Sequence, residues 1–132
     1  MAAVREVRAL FASVNADSAA PAPTAPVPTE LERAFAALPR SVRATFVRFT
    51  LEELATLAPG NSVEVRVPPL GVTQCVAGPR HTRGTPPSVV ETSPVVWAAL
   101  VLGACSWEQA VAAGVLDASG ERSDLSTLLP LF

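Results

Sequence analysis

The stretch NSVEVRVPPLGVTQCVAGP, residues 61–79, marks the point at which the hydrophobic pattern changes from helical spacing to alternation. Val63, Val65 and Val67 alternate with Glu64 and Arg66, which predicts a half-buried strand with one face in water. The double proline that follows cannot donate to a strand ladder, so it ends this strand. Residues 72–77 predict a second strand, and together the two strands predict a hairpin.

The next stretch, GPRHTRGTPP at residues 78–87, leads into a third predicted strand at residues 88–92. It contains the only histidine of the chain, His81, and two arginines, Arg80 and Arg83. Its glycines and prolines favour one defined backbone path over flexibility. The three side chains could hold a carboxylate or a phosphate. Alternatively, they pair with carboxylates and carbonyls and clasp the loop to the fold, which is the interpretation we favour.

Helical patterns precede the hairpin. Residues 2–14 predict an amphipathic helix, and residues 15–28 form an Ala/Pro-rich linker with few side chains to bury. Thr29 and Glu32 have the spacing of a capping box, which predicts the start of a short helix. Ser41 opens the next predicted helix, which ends at a Pro-Gly pair.

Further helices follow the third strand. Ser93 before Pro94 is the preferred opening of a helix, and Ser106 with Gln109 predicts a second capping box. A short strand at residues 115–119 and a last helical turn at residues 125–129 complete the chain. This order predicts one α+β domain over residues 29–132, with helices gathered over a small, mostly antiparallel sheet.

Composition excludes several classes of protein. Hydrophobic residues make up 49% of the chain and charged residues 17%, which is not the composition of a disordered protein. The net charge of −2 offers no basic stripe for nucleic acid. The longest apolar run, residues 95–105, is far shorter than the ~20 residues of a membrane span. Without a secretory signal, we expect a cytoplasmic protein with reduced cysteines.

The residue inventory gives little support to catalysis or metal binding. One histidine and two cysteines without paired spacing predict neither a metal site nor a cofactor. Cys75 and His81 could be imagined as a nucleophile and its base. However, Cys75 lies mid-strand in an apolar run, where a cysteine is usually a small buried hydrophobe. We therefore expect a protein that is not an enzyme.

Three stretches taken together resemble the bacterial members of the sterol carrier protein family. They are the hairpin at residues 61–79, HTRGTPPSVVETSP at residues 81–94, and WAALVLGACSWEQAVAAGVLDASGERSDLSTLLPLF at residues 97–132. The resemblance covers roughly residues 41–132 and says nothing about the N-terminal helix. It implies helices that cross a curved sheet and enclose an apolar cavity for lipid-like ligands. It transfers no catalytic motif.

The resemblance suggests which residues bind a ligand. Tryptophans at helical spacing are by default core residues, but a cavity wall is also part of the core. An acidic head group of the ligand would point to Arg80, His81 and Arg83. The predicted apolar cavity is lined by Leu70, Val72, Trp97, Leu100, Val101, Trp107, Val111 and Leu116.

We therefore expect non-enzymatic binding of a lipid-like or acyl ligand. The alternative is a ligand-free interaction or self-association module, since the apolar stripe of the helix at residues 2–14 needs a groove in this chain or another. The apolar C-terminal residues 128–132, LLPLF, could tuck into the fold, plug the cavity or meet a partner. The sequence leaves these three open.

Overall fold

A computed structural model describes residues 2–17, 27–78 and 88–132 of the chain. The helices and strands within these residues follow the predicted order. The helices are α1 (Ala2–Asp17), α2 (Thr29–Ala37), α3 (Arg40–Leu57), α4 (Pro94–Leu102) and α5 (Trp107–Ala112). The strands are β1 (Val63–Val67), β2 (Gly71–Cys75), β3 (Ser88–Thr92) and β4 (Leu116–Ser119).

The strands form an open mixed sheet in the order β2-β1-β3-β4. β1 pairs antiparallel with β2, and β3 pairs antiparallel with β4. The central strands β1 and β3 are parallel. β2 runs back to the end of the sheet where β1 begins, and β3 starts at that same end. The predicted α+β fold is confirmed, and the parallel pair makes the sheet mixed.

The core lies between the helices and one face of the sheet. Val63, Val65 and Val67 have no exposed surface, whereas Arg66 on the alternate face is exposed. α3 packs against β2, and α4 packs against α3. The alternation of the β1 sequence therefore separates a helix-covered inner face of the sheet from an outer face in water.

A hydrogen bond inside this core joins α3 to α4. Trp97 and Thr50 are fully buried, and the indole Nε1 donates to Thr50 Oγ1 over 2.9 Å. The Thr50 hydroxyl in turn donates to the carbonyl of Phe46 at 2.7 Å. Polar atoms shielded from water need such partners, so this bond determines the position of the indole ring relative to α3.

The helices of the second half begin as predicted. The Ser93 side chain caps α4 ahead of Pro94, and Gly103 ends the helix with a φ of 77°. At α5 both bonds of the capping box are present: the Ser106 amide donates to Gln109 Oε1 at 2.9 Å, and the Gln109 amide donates to Ser106 Oγ at 3.1 Å. Each of these caps is local in sequence, so the pattern was sufficient to predict it.

α2 and α3 begin within one residue of the predicted positions, but a proline rather than a side-chain cap precedes each of them. Pro28, with φ of −62° and ψ of 148°, is the N-cap of α2, so Thr29 lies inside the helix and makes no capping bond. Pro39 likewise takes the N-cap position before α3, one residue ahead of the helix start and two ahead of Ser41. In both cases the extended geometry that a proline adopts readily supplies the N-cap conformation. The carbonyl of each proline then accepts the first helical amides.

α1 packs onto the rest of the fold. It runs to Asp17, beyond the predicted end at residue 14, and contacts α2 and α3. Val4, Val7 and Phe11 are buried, which confirms the predicted apolar stripe. Residues 18–26 of the predicted linker lie outside the described residues. Val27, near the linker's end, is only 6% exposed, so this part of the linker does contribute to the core.

The C-terminal residues fold back onto the helices. Residues 125–129 form a turn, with the Leu128 amide donating to the Leu125 carbonyl, where a helical turn was expected. The amides of Leu131 and Phe132 both donate to the carbonyl of Val101 in α4. The Phe132 ring stacks on Phe49 of α3 with centroids 6.5 Å apart. Of the three outcomes that the sequence leaves open, the structure shows the tail tucked into the fold.

A backbone latch holds the end of β2. Val76 has a φ of 66°, a region that β-branched residues rarely adopt. Its amide donates to the Ala58 carbonyl at 2.7 Å, and its carbonyl accepts from both the amide and the hydroxyl of Ser62. Gly60 lies so close that any side chain there would collide with the Val76 carbonyl. The latch ties β2 to the end of α3 just before the loop at residues 78–87.

We expect Thr50→Val to lower the free energy of unfolding by about 1–3 kcal/mol, because it leaves the buried indole N–H of Trp97 without an acceptor. The shape of the side chain is nearly unchanged, so packing does not account for the loss. Thr56→Val is the matched control: Thr56 also donates to the carbonyl four residues earlier, but it is exposed. Urea unfolding measures both, and equal losses would contradict the assigned role of Thr50.

Phe11→Ala tests whether α1 belongs to the core. Since Phe11 is 4% exposed, its truncation should cost about 3–5 kcal/mol of unfolding free energy. Arg5→Ala, at an exposed position of the same helix, should change stability by less than about 0.5 kcal/mol. Chemical denaturation monitored by tryptophan emission provides the comparison. A negligible effect of Phe11→Ala would mean that α1 is not docked in solution.

Candidate functional site

An open groove of about 770 Å³ lies along β2, the edge strand of the sheet. α3 forms one wall, and the turn between β1 and β2, with the adjoining outer face of the sheet, forms the other. Its apolar lining comes from Leu51, Pro68, Pro69, Leu70 and Val72. Its charged lining comes from Arg48, Glu52, Glu64, Arg66 and Glu91.

A close approach of α3 to β2 shapes this groove. A Cβ atom at Gly71 would lie 3.0 Å from Leu51 Cδ1 and 3.4 Å from Val47 Cγ1, so the absence of a side chain lets the helix sit against the strand. Arg48 Nε donates to the carbonyl of Leu70 at 3.2 Å. This bond ties the turn to α3 and holds a guanidinium at the beginning of β2.

The charges in the groove are not evenly distributed. The strand register places Arg66 opposite Val72 and Glu64 opposite Gln74. Arg66 donates to Glu64 at 2.7 Å, but both side chains are partly exposed, so this ion pair adds little stability. Both arginines lie toward the start of β2, but two carboxylates lie there as well: Glu52 follows Arg48 by one turn of α3, and Glu91 is opposite Arg66 in the strand register. Glu64 lies toward the end of β2.

A comparison with models of known protein families shows to which family the chain belongs. The family model for bacterial orthologues of the sterol carrier protein matches residues 39–131, which is most of the sequence. The chain belongs to the bacterial sterol carrier protein family. This confirms the resemblance inferred from residues 41–132. None of the curated proteins compared with the chain matches it.

The match takes in all of β1–β4 together with α3, α4 and α5, and therefore the whole groove of this sterol carrier protein domain. α1 and α2 lie outside the matched residues. Among the described residues, no helix combines the length and apolarity needed to cross a membrane.

The residues predicted to line an apolar cavity separate into three groups. Leu70 and Val72 line the groove, and Val72 is 60% exposed. Val111 is exposed on α5, away from the groove lining. The remaining five are buried in the core: Trp97, Leu100, Val101, Trp107 and Leu116. Whether any of the eight contacts a ligand stays a prediction.

The predicted head-group residues Arg80, His81 and Arg83 lie outside the described residues, so their role also stays a prediction. A different arginine, Arg48, lines the groove, and the sequence analysis did not single it out. No spacing rule relates Arg48 to the carbonyl of Leu70, because their contact depends on how α3 docks on the hairpin. The exposed position of Arg48 next to the apolar stripe of α3 was the only signal available.

The two thiols are not arranged for chemistry. Burial raises the pKa of the Cys75 thiol to about 11 and also raises the pKa of Cys105. Both cysteines are free and buried. At neutral pH Cys75 is therefore protonated and is not a nucleophilic thiolate. Within the described residues, no three His, Cys, Asp or Glu side chains are grouped to hold a metal ion.

Stability at alkaline pH should report on Cys75. The folded protein holds the thiol proton more tightly than the unfolded chain, so stability falls as pH rises from about 9 to about 11. The loss should be at most ~1.4 kcal/mol per pH unit, and Cys75→Ala should lack it. The chain contains neither lysine nor tyrosine, so few other groups titrate in this range. A stability difference between the two proteins that does not change with pH would contradict the buried thiol.

Proposed function

We propose that this protein binds and carries a lipid-like ligand, an acyl chain or a similarly apolar molecule, without catalysing a reaction. Membership of the sterol carrier protein family supports a carrier function in general terms. The groove along β2 is the observation that carries the finer proposal. Its volume of about 770 Å³ is within the ~300–1,000 Å³ typical of small-molecule sites.

The groove has the two kinds of surface that an amphiphile needs. The apolar part of the ligand lies on Pro68, Pro69 and Val72, which are exposed in the groove, and each methylene buried there contributes about 0.8 kcal/mol. An acidic head group is bound by Arg48 or Arg66 near the turn, through charge-assisted hydrogen bonds. Residues 80, 81 and 83, predicted from the sequence to bind the head group, are an alternative position for the acid.

A ligand-free interaction module was the other function suggested by the sequence. This alternative was suggested by the apolar stripe of the N-terminal helix, which would need a groove in which to be buried. In the structure Val4, Val7 and Phe11 are buried within the chain's own core. The apolar stripe is therefore buried without a partner protein, and the lipid-carrier proposal has the stronger support.

Val72→Asp should weaken acyl binding by about tenfold, or ~1.4 kcal/mol. It replaces an exposed apolar wall of the groove with a carboxylate that repels an acidic head group. Val111→Asp is the matched control, since Val111 belongs to the same predicted cavity set and is also exposed but lies on α5. Titration with a fluorescent fatty acid measures both affinities.

The same titration decides between the groove and the predicted cavity. Equal affinities of the Val72→Asp variant and the unaltered protein would exclude the groove as the binding site. A loss confined to Val111→Asp would place the ligand beside α5. No saturable binding by the unaltered protein would overturn the proposed function itself.

A further inference from the structure

The backbone edge of β2 is a feature of the groove that a lipid-like ligand does not use. β2 is the first strand of the sheet order, so among the described residues its outer edge pairs with no other strand. The strand, GVTQC, contains neither charge nor proline. Natural proteins usually protect an open edge with lysine, proline or a covering element. β4, the opposite edge, carries Asp117 and is shorter.

We propose that this edge binds the C-terminal segment of another protein by strand addition, antiparallel to β2, with the terminal carboxylate at Arg48. In strand addition, main-chain hydrogen bonds provide affinity, and the flanking side chains provide specificity. The proposal goes beyond the carriage of a lipid-like ligand, although both ligands use the same groove.

The direction of the added strand follows from the position of Arg48. α3 and β2 run in the same direction, because Leu51 lies beside Gly71 and the carbonyl of Ala58 meets the amide of Val76. Arg48 is therefore at the start of β2. An antiparallel segment ends there with its carboxylate, whereas a parallel one would bring its N-terminus, a cation when unblocked, to the guanidinium.

The hydrogen bond to Leu70 prepares Arg48 for this role. Only Nε is used in that bond, which holds the side chain in the groove. A carboxylate is bound best by two parallel N–H groups of a guanidinium, and the terminal Nη groups of Arg48 can supply them. A lysine has a single nitrogen, so it could not bind the carbonyl of Leu70 through one nitrogen and a carboxylate through two others.

The side chains along the groove specify the rest of the segment. The terminal residue, opposite Gly71, points to the same face as Leu51, so it is apolar. The residue opposite Gln74 is three positions earlier and points to the outer face, where Gln74 separates it from Glu64, so a polar side chain fits there. The added strand thus matches the groove with its terminal carboxylate at Arg48 and its apolar terminal residue on the side of Leu51.

Selection from a library of random peptides displayed with free C-termini, with the full chain as bait, tests this motif. We expect enrichment of peptides with an apolar terminal residue. The synthetic selected peptide should bind about tenfold or more weakly to Arg48→Gln than to the unaltered protein. Arg43→Gln is the matched control, because Arg43 also lies on α3 and its Nε donates to a carbonyl, that of Leu38, outside the groove.

Two chemical changes to the peptide test the carboxylate and the strand pairing. Amidation of the C-terminus should weaken binding to the unaltered protein but have no further effect on Arg48→Gln. N-methylation of alternate residues should abolish binding in one of the two alternating patterns and not in the other, since only one set of amides faces β2. Peptides whose binding withstands amidation, or both N-methyl patterns, would overturn the proposal, as would a selection without a common C-terminal motif.

The outcome is independent of the lipid-carrier proposal. Fatty-acid binding without peptide binding would overturn only the strand addition, and the converse would overturn only the lipid carriage. If both ligands bind, each should displace the other from the shared groove. Simultaneous binding of the two would contradict the position assigned to the peptide.

Discussion

The indole N–H of Trp97 has no access to water, and the hydroxyl of Thr50 is the acceptor that satisfies it. This requirement restricts the rotation of α4 relative to α3, because the indole N–H can donate in only one direction. α3 then presents its other side to β2, where Leu51 and Arg48 meet the hairpin. The wall of the groove is thus positioned from inside the core, by a contact between residues that do not line the groove.

The groove itself follows from an edge that the fold leaves open. The inner face of the sheet is sealed by apolar packing, whereas β2 has α3 on one side and, among the described residues, no strand paired with its outer edge. This combination gives an apolar wall, a row of backbone polar groups and charges of both signs within one site. A helix bundle or a closed barrel would offer the apolar wall without the backbone edge.

The elements of this protein could be predicted from the sequence wherever the information is local. The alternation in β1, the capping box at Ser106 and the Ser93-Pro94 opening all depend on residues a few positions apart, and each is observed. The contact of Thr50 with Trp97 joins residues 47 positions apart, and the groove joins α3 to the hairpin, so neither leaves a periodic signal. The N-caps of α2 and α3 differ from the prediction for another reason, since proline supplies the N-cap conformation with its own backbone geometry.

The missing side chain at Gly71 makes the width of the groove adjustable. Its backbone has no left-handed φ, and the atom that a Cβ would meet first is the end of the Leu51 side chain, which can shift by a few tenths of an ångström. Alanine or serine at this position would therefore act as a spacer between α3 and β2 without breaking either element. The size of the residue at this single position would thus set the width of the groove without changing the fold.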